Sequence, residues 1–262
     1  MQQGFRGAIF DVDGVLVDSP HEAAWRDVFR ELMESDWADI RDQTSWTPEA
    51  FTPEVYQQVL SGKPRMEGAL AALEYFGVPE PEKRVDAYAE RKQEMVVELI
   101  KAGKFSAYPD ALRFLLAVKN AGIAVAAASS SKNAGLFLRQ IRLDEFAERN
   151  GLHYDWIEPG LTLLAVFDVD ISGRHFARGK PHPEIFLTAA QELGVEPSAA
   201  FVVEDAVSGI QAAKAGAFAA LGVARHEDEA LLEQAGADLV VTTLDDVDLA
   251  ALAEGRLARR PG

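Results

Sequence analysis

The sequence predicts an α/β fold, a Rossmann-like doubly wound parallel sheet covered by helices on both faces, with an all-helical insertion after the first strand. Short apolar runs alternate with amphipathic stretches of helical length, a pattern typical of buried parallel strands and their crossover helices. The runs that predict strands are 7–10, 123–128, 200–203 and 217–221, with weaker candidates at 164–169 and 239–241. The stretches that predict core helices are 111–120, 184–193 and 207–215.

The segment between the first two strands does not follow this alternation. Apolar residues there recur at helical spacing, which predicts helices only; these are 22–33, 53–60, 66–76 and 83–101. We therefore expect two domains, a catalytic core (1–18 with 107–262) and an inserted helical domain (19–106). The tryptophans (Trp25, Trp37, Trp46 and Trp156) are expected to pack rather than bind a ligand. The C-terminal segment 256–262 is expected to fray.

Composition narrows the partners that we expect. The formal net charge is −16, a field that repels nucleic-acid phosphates and anionic lipid, so we expect neither nucleic acid nor membrane as a partner. A phosphate site in such a chain needs local cations, a metal ion or oriented N–H groups. The chain has no cysteine, which excludes disulfides and thiol chemistry. The N-terminus lacks a signal-peptide pattern and no apolar run approaches the roughly 20 residues of a membrane span, so we expect a cytoplasmic protein.

The first cluster with chemical potential is Asp11-Val12-Asp13-Gly14, directly after the first strand. Ligands of α/β sheets bind beyond the carboxyl ends of strands. Positions i and i+2 of an extended chain point to the same side, so Asp11 and Asp13 can face one site, one attacking and the other carrying a proton. The alternative is a helix cap with a turn aspartate. The similar run Phe167 to Asp170 lacks the glycine, because Ile171 stands in its place, and is interpreted as the third strand.

Three further clusters follow along the chain. Ser129 to Asn133 offers a hydroxyl and consecutive N–H groups for an anion, or merely a helix N-cap. Lys180 lies between Gly179 and a proline, where a rigid segment can place one charge, although an exposed loop lysine is the simpler interpretation. The adjacent acids Glu204 and Asp205 end another strand and suit Mg²⁺, although Asp205 could simply cap a helix.

Together the four clusters supply a nucleophile, an anion site, a cation and a metal carboxylate. A carboxylate attacks an anionic phosphate only when metal and lysine screen the repulsion, and phosphoryl transfer depends mostly on positioning and charge stabilisation. The set therefore predicts Mg²⁺-dependent phosphoryl transfer with Asp11 as a covalent nucleophile.

These motifs resemble those of the haloacid dehalogenase superfamily, and the helical insertion resembles its α-helical cap. Within the superfamily, the segments 129–133 and 204–216, the pair His21 and Trp25, and Gly62-x-x-Arg65 look most like the β-phosphoglucomutase branch. The resemblance implies a core of five parallel strands in the order 5-4-1-2-3.

The resemblance also implies roles for individual residues. Asp11 would become the aspartyl-phosphate and Asp13 would be the general acid/base. Mg²⁺ would be held by Asp11, the Asp13 backbone carbonyl and Asp205, with Glu204 close by. The transferring phosphoryl group would be bound by Ser129, the Ser130 amide and Lys180.

For the substrate, the resemblance implies that Lys132 and Asn133 face the cap or the substrate. It also implies that His21 and Lys92 help to position Asp13 and the sugar. Arg65 would bind the second, non-transferring phosphate through its bidentate fork.

Three functions remain open at this stage. The first is a mutase that moves phosphate between C1 and C6 of a hexose, which Arg65 favours because the substrate would hold two phosphoryl groups in turn. The second is a phosphatase for a sugar phosphate or another small metabolite on the same machinery, and the third is an inactive binding module. In each case the expected partner is a small phosphorylated metabolite, with the chain acting as a monomer.

Overall fold

The structure, a computed structural model, describes residues 4–261. Its strands are β1 (Gly7–Phe10), β2 (Val17–Asp18), β3 (Ser106–Ala107), β4 (Ala124–Ala127), β5 (Val169–Asp170), β6 (Ala200–Glu204), β7 (Ala219–Val223) and β8 (Leu239–Val241). Its α-helices are α1 (His21–Glu34), α2 (Pro53–Val55), α3 (Arg65–Tyr75), α4 (Pro81–Lys101), α5 (Pro109–Asn120), α6 (Ala134–Gln140), α7 (Leu143–Arg149), α8 (Leu163–Val166), α9 (Glu184–Leu193), α10 (Val207–Ala215), α11 (Glu229–Gln234) and α12 (Leu249–Ala253). A π-helical turn, Tyr56–Leu60, continues α2.

The chain divides into two compact units. One consists of the residues up to Asp18 together with those from Ala107 onwards, and the other is Ser19–Ser106. The first contains the large sheet, and the second contains α1 to α4, so the predicted helical segment after the first strand is confirmed. Within the described residues, no helix combines the length and apolar composition needed to cross a bilayer.

The large sheet has six parallel strands in the order β5-β4-β1-β6-β7-β8. When the strands of this sheet are renumbered along the chain and read from β7 to β5, the first five follow the predicted order 5-4-1-2-3, which corresponds to β7-β6-β1-β4-β5. The expected total of five was wrong, because β8 pairs with β7 and adds a sixth strand at that edge. The central strand β1 lies between β4 and β6, with Gly7 in register with Ala124 and Ala200.

Helices cover both faces of this sheet. Ile9 and Val202 share a buried cluster with side chains of α9 and α10. Their neighbours Phe10 and Phe201 instead contact Phe114 of α5, with ring centroids 6.1 and 6.3 Å away. Because successive side chains of a strand point to opposite faces, α5 lies on the face opposite to α9 and α10. The doubly wound arrangement predicted from the sequence is therefore present.

Two segments differ from the sequence prediction. Half of the run 164–169 is helix, because residues 164–166 belong to α8, where Leu163 and Val166 are both buried at i, i+3 spacing. Only Val169–Asp170 forms a strand. The C-terminal segment is not frayed as far as the structure describes it. The N–H of Arg260 donates to the carbonyl of Asp246 (2.7 Å), and the N–H of Asp248 donates to that of Ala258 (2.9 Å).

An aromatic cluster forms the core of the helical unit. The Phe29 ring lies at its centre, with five ring centroids at distances from 5.1 to 6.4 Å, those of Trp37, Trp46, Phe51, Phe76 and Tyr88. Trp25 is also buried and meets Tyr88 edge-on. Three of the four tryptophans therefore pack as predicted, and the fourth, Trp156, stacks on Tyr154 in the core unit.

Replacing Phe29 by alanine should strongly destabilise the helical unit, because a large cavity would open among five rings. We expect a loss of about 3–5 kcal/mol, measured by urea unfolding followed by tryptophan fluorescence. Tyr75→Ala is the matched control, since Tyr75 is 52% exposed although it also touches Phe76. It should cost less than about 1 kcal/mol. Similar losses for the two variants would show that the cluster does not stabilise the unit.

Candidate active site

The first part of the candidate site is the loop that follows β1. All four residues of β1 are buried, and Asp11, the next residue, is 5% exposed. Gly14 then turns the chain with φ of +81°, and its N–H donates to the carbonyl of Val17 (2.8 Å). A Cβ at Gly14 would overlap Oδ2 of Asp205. Glycine is therefore needed here both for the backbone conformation and for the approach of the Asp205 carboxylate, which directly follows β6.

Lys180 contacts the Asp11 carboxylate from the loop between β5 and α9. Its side chain is completely buried, so the alternative interpretation of Lys180 as an exposed loop lysine was wrong. The Nζ atom donates to Oδ1 of Asp11 at 2.8 Å and also donates to Oε1 of Glu204. The ammonium lies 5.0 Å from the centroid of the Phe186 ring. Both charged hydrogen bonds hold the ammonium beside the nucleophile candidate.

Glu204, the last residue of β6, is fully buried and makes bonds through both oxygens. Oε1 accepts from Lys180, and Oε2 accepts from the N–H groups of Asp205 (3.2 Å) and Ala206 (3.3 Å). Gly209, in the first turn of α10, makes room for this carboxylate, since a Cβ there would overlap its Cδ. The strand end, the turn and the helix start thus fix the orientation of Glu204.

Asp11, Glu204 and Asp205 form an acidic cluster in which one ligand atom from each lies within 4.8 Å of the others. Burial raises the pKa of Asp11 to about 7, opposed by Lys180 and assisted by Glu204 and Asp13. Burial and the charges of Glu204 and Asp11 likewise raise the pKa of Asp205. Lys180 shows the opposite balance, because Asp11 and Glu204 outweigh its burial and raise its pKa, which keeps it protonated.

The donor set of this cluster fits a hard divalent cation. All three side chains offer carboxylate oxygen, which Mg²⁺ prefers. When ionised, the three carboxylates carry two more negative charges than Lys180 balances, and a divalent cation would supply that charge. A cation between them would also lower their raised pKa values. The acidic cluster could therefore hold a metal ion.

The loop after β4 brings Ser129 next to Asp13. Ser129 is buried, and its hydroxyl lies 3.4 Å from Oδ2 of Asp13, to which it donates. The same hydroxyl accepts from the N–H of Ser131 (3.1 Å). Ser129 therefore links the nucleophile loop to a loop of N–H groups, where an anion could bind.

The remaining predicted site residues are distributed between the two units. In the core unit, Ser130 is half-buried, Lys132 is exposed and Asn133 is buried at the start of α6. In the helical unit, His21 and Lys92 are both buried, with Nδ1 and Nζ 3.2 Å apart. The helical unit also contains half-buried Arg65, the first residue of α3.

Sequence reasoning missed other contributors to the site. The hydroxyl of Ser172, just after β5, accepts from the N–H of Ser129 (3.3 Å). Its position beyond a strand end was a signal that could have identified it. Gly209 carried a weaker signal, as a glycine in the first turn of a helix. Arg225 contacts the nucleophile loop from two strands away, and no local pattern indicates that contact.

Comparison with known proteins agrees with this geometry. The profile of the haloacid dehalogenase-like hydrolases matches residues 5–216, so the chain belongs to that family of enzymes. A β-phosphoglucomutase of Mycobacterium bovis is 33% identical over 92% of this chain and 91% of its own. A phosphorylated-carbohydrate phosphatase of Thermotoga maritima is 30% identical over 88% of this chain and 92% of its own. A solved archaeal β-phosphoglucomutase from Pyrococcus is 29% identical, with a TM-score of 0.67 over 95% of this chain and 97% of that one.

Gly209→Ala should disturb the acidic cluster, because the added methyl group would displace Glu204. We expect a stability loss of about 1–3 kcal/mol in thermal unfolding, together with weaker Mg²⁺ binding in isothermal titration calorimetry. Gly68→Ala is the matched control in the first turn of α3, where the nearest atom to an added Cβ is 3.6 Å away. It should stabilise the chain by up to about 1 kcal/mol and leave Mg²⁺ binding unchanged. Similar behaviour of the two variants would contradict the tight packing of Gly209 on Glu204.

Proposed function

We propose that this chain catalyses Mg²⁺-dependent phosphoryl transfer through an aspartyl-phosphate at Asp11 and interconverts β-hexose 1-phosphate and hexose 6-phosphate. The observation that carries the proposal is the buried ammonium of Lys180, which contacts Asp11 and Glu204 while Asp205 completes the acidic cluster. Structural lysines of soluble proteins are seldom buried completely, and this one is held where negative charge would gather during attack on a phosphate.

In the first step, a carboxylate oxygen of Asp11 forms a bond to phosphorus and the bond from phosphorus to the ester oxygen breaks. Asp13 gives a proton to the departing oxygen, and its hydrogen bond from Ser129 helps to orient it. Lys180 offsets negative charge at Asp11 and on the phosphoryl oxygens. Bound Mg²⁺, held by Asp11, the Asp13 carbonyl and Asp205 with Glu204 beside them, would supply further charge stabilisation.

In the second step, a hydroxyl of hexose 1-phosphate attacks the aspartyl-phosphate and passes its proton to Asp13, which gives a hexose bisphosphate and frees the Asp11 carboxylate. Transfer of the phosphoryl group at C1 of this bisphosphate to Asp11, by the first step, then releases hexose 6-phosphate. Ser129 and the Ser130 amide are proposed to bind the phosphoryl group during both steps. The substrate residues are proposed to be Lys132 and Asn133 in the core unit and His21, Arg65 and Lys92 in the helical unit.

A phosphatase acting on phosphorylated carbohydrates is the second candidate, supported by the Thermotoga relative. It would use the same first step, with water in place of the sugar hydroxyl in the second. Relatives named β-phosphoglucomutase over nearly the whole chain, together with Arg65 at the start of α3, favour the mutase. An inactive binding module is disfavoured because Asp11, Lys180, Glu204 and Asp205 lie together as phosphoryl transfer requires.

Product analysis tests the proposal directly. With β-glucose 1-phosphate, a trace of the bisphosphate and Mg²⁺, we expect hexose 6-phosphate as the main product, identified by NMR. Asp11→Asn should abolish turnover without unfolding the chain, because an amide cannot form the acyl phosphate. Free glucose and inorganic phosphate as the main products would favour the phosphatase. Full activity of Asp11→Asn, or of the wild type in excess chelator, would rule out the mechanism.

Arg65→Ala separates the mutase from the phosphatase. We expect interconversion of the hexose phosphates to fall by roughly ten- to a hundredfold, the effect of losing a charge-assisted contact to the second phosphate. Hydrolysis of a small phosphate ester, which has no second phosphate, should change far less. The control is Arg91→Ala, which removes an exposed arginine of the helical unit that pairs with Asp36 and should alter neither rate. Equal losses in both assays for Arg65→Ala would remove the mutase and leave the phosphatase.

A further inference from the structure

Arg225 follows the end of β7 and donates to the backbone of the loop that carries Asp13. Its Nε atom donates to the carbonyl of Gly14 (3.2 Å), and Nη2 donates to the carbonyl of Val15 (3.1 Å). The side chain of Arg225 is only 8% exposed. A planar guanidinium can serve two neighbouring carbonyls in a fixed geometry, which the point charge of a lysine does not reproduce.

The guanidinium is itself held from the other side. Nη1 donates to Oδ2 of Asp110 (2.9 Å), and Cζ lies 3.9 Å from the centroid of the Tyr108 ring. Oδ2 of Asp110 also accepts from the N–H of Leu244 (2.8 Å) and the hydroxyl of Thr243 (3.2 Å). Burial raises the pKa of Asp110, but the bonds from Arg225 and Leu244 outweigh it and lower the pKa, so this carboxylate stays ionised near neutral pH. The anchor for Arg225 is therefore a charged carboxylate that is itself hydrogen-bonded to Leu244 and Thr243.

The loop that Arg225 contacts determines the position of two site residues. Gly14 directly follows Asp13 and packs so closely on Asp205 that no Cβ would fit between them. Two backbone bonds close the turn, from Gly14 N–H to the Val17 carbonyl (2.8 Å) and from Val17 N–H to the Val12 carbonyl (3.0 Å). Because the turn is short, loss of the bonds at Gly14 and Val15 would shift Asp13 as well.

We propose that Arg225 is a positioning residue that holds the loop after the nucleophile so that Asp13 can protonate the departing oxygen. This inference rests on the proposed function, which makes Asp13 the general acid. Arg225 acts through the carbonyls of Gly14 and Val15, and its salt bridge with Asp110 and its stacking on Tyr108 fix the direction from which it donates.

The test compares two esters that differ in their need for an acid. An alkyl phosphate such as ethyl phosphate has a poor leaving group that requires protonation, whereas p-nitrophenyl phosphate has a good one that does not. The value of kcat/KM reports only the steps up to departure of the leaving group. Arg225→Lys keeps a positive charge beside Asp110 but should not serve both carbonyls. We expect it to lower kcat/KM for ethyl phosphate at least about tenfold more than for p-nitrophenyl phosphate.

Two further variants separate positioning from general loss of stability. Arg113 lies on α5, the helix that also carries Asp110, and its Nε donates to Asp245 (2.9 Å). Arg113→Met removes this hydrogen bond and should lower kcat/KM for both esters equally or for neither. Asp13→Ala should show the same leaving-group dependence as Arg225→Lys, and the double variant should add little to it, because both changes remove one function.

Hydrogen–deuterium exchange supplies a readout that does not depend on activity. The peptide covering residues 10–18 should exchange faster in Arg225→Lys than in the wild type, and should be unchanged in Arg113→Met. Equal losses on the two esters for Arg225→Lys, or unchanged exchange in that peptide, would overturn the inference. If the wild type cleaves neither ester, the exchange measurement alone decides whether Arg225 holds the loop, and the product analysis with β-glucose 1-phosphate decides separately whether the proposed function fails.

Discussion

The candidate site depends on one interaction, the buried contact of the Lys180 ammonium with the carboxylates of Asp11 and Glu204. A buried ammonium is tolerated only when it is paired and hydrogen-bonded, because the loss of hydration is otherwise too costly. Here the pairing is unequal, since Asp205 adds a third carboxylate to the same cluster. The excess negative charge makes the site suited to a divalent cation, in a protein whose overall charge of −16 would otherwise repel phosphate.

The sheet and two glycines bring these charges together. Parallel strands end at the same edge, so residues following β1, β4 and β6 become neighbours although they are far apart in sequence. Close approach then requires the absence of a side chain at two points. Gly14 leaves space for Asp205, and Gly209 leaves space for Glu204. The spacing between the carboxylates is thus determined by backbone packing as well as by the side chains themselves.

Sequence patterns predicted the features that are encoded locally and missed those that arise from tertiary contacts. The strands around Asp11 and Glu204 could be recognised because buried parallel strands are short continuous apolar runs with polar residues after them. The helix α8 was mistaken for a strand because short apolar runs do not distinguish the two structures, and its burial at i, i+3 is visible only once packing is known. Arg225 could not be predicted, because its contacts with Gly14 and Val15 join residues more than 200 positions apart.

The same physical reasoning shows where a mutase and a phosphatase must differ. In the proposed mechanism both would use Asp11, Asp13, Lys180 and a metal-binding acid for the first step, so these residues carry no information about what attacks the aspartyl-phosphate next. Discrimination between a sugar hydroxyl and water requires contacts that recognise the rest of the substrate and exclude solvent. Under the proposed function, the choice of acceptor therefore has to be encoded outside these four groups, and Arg65 is the residue that we propose for it.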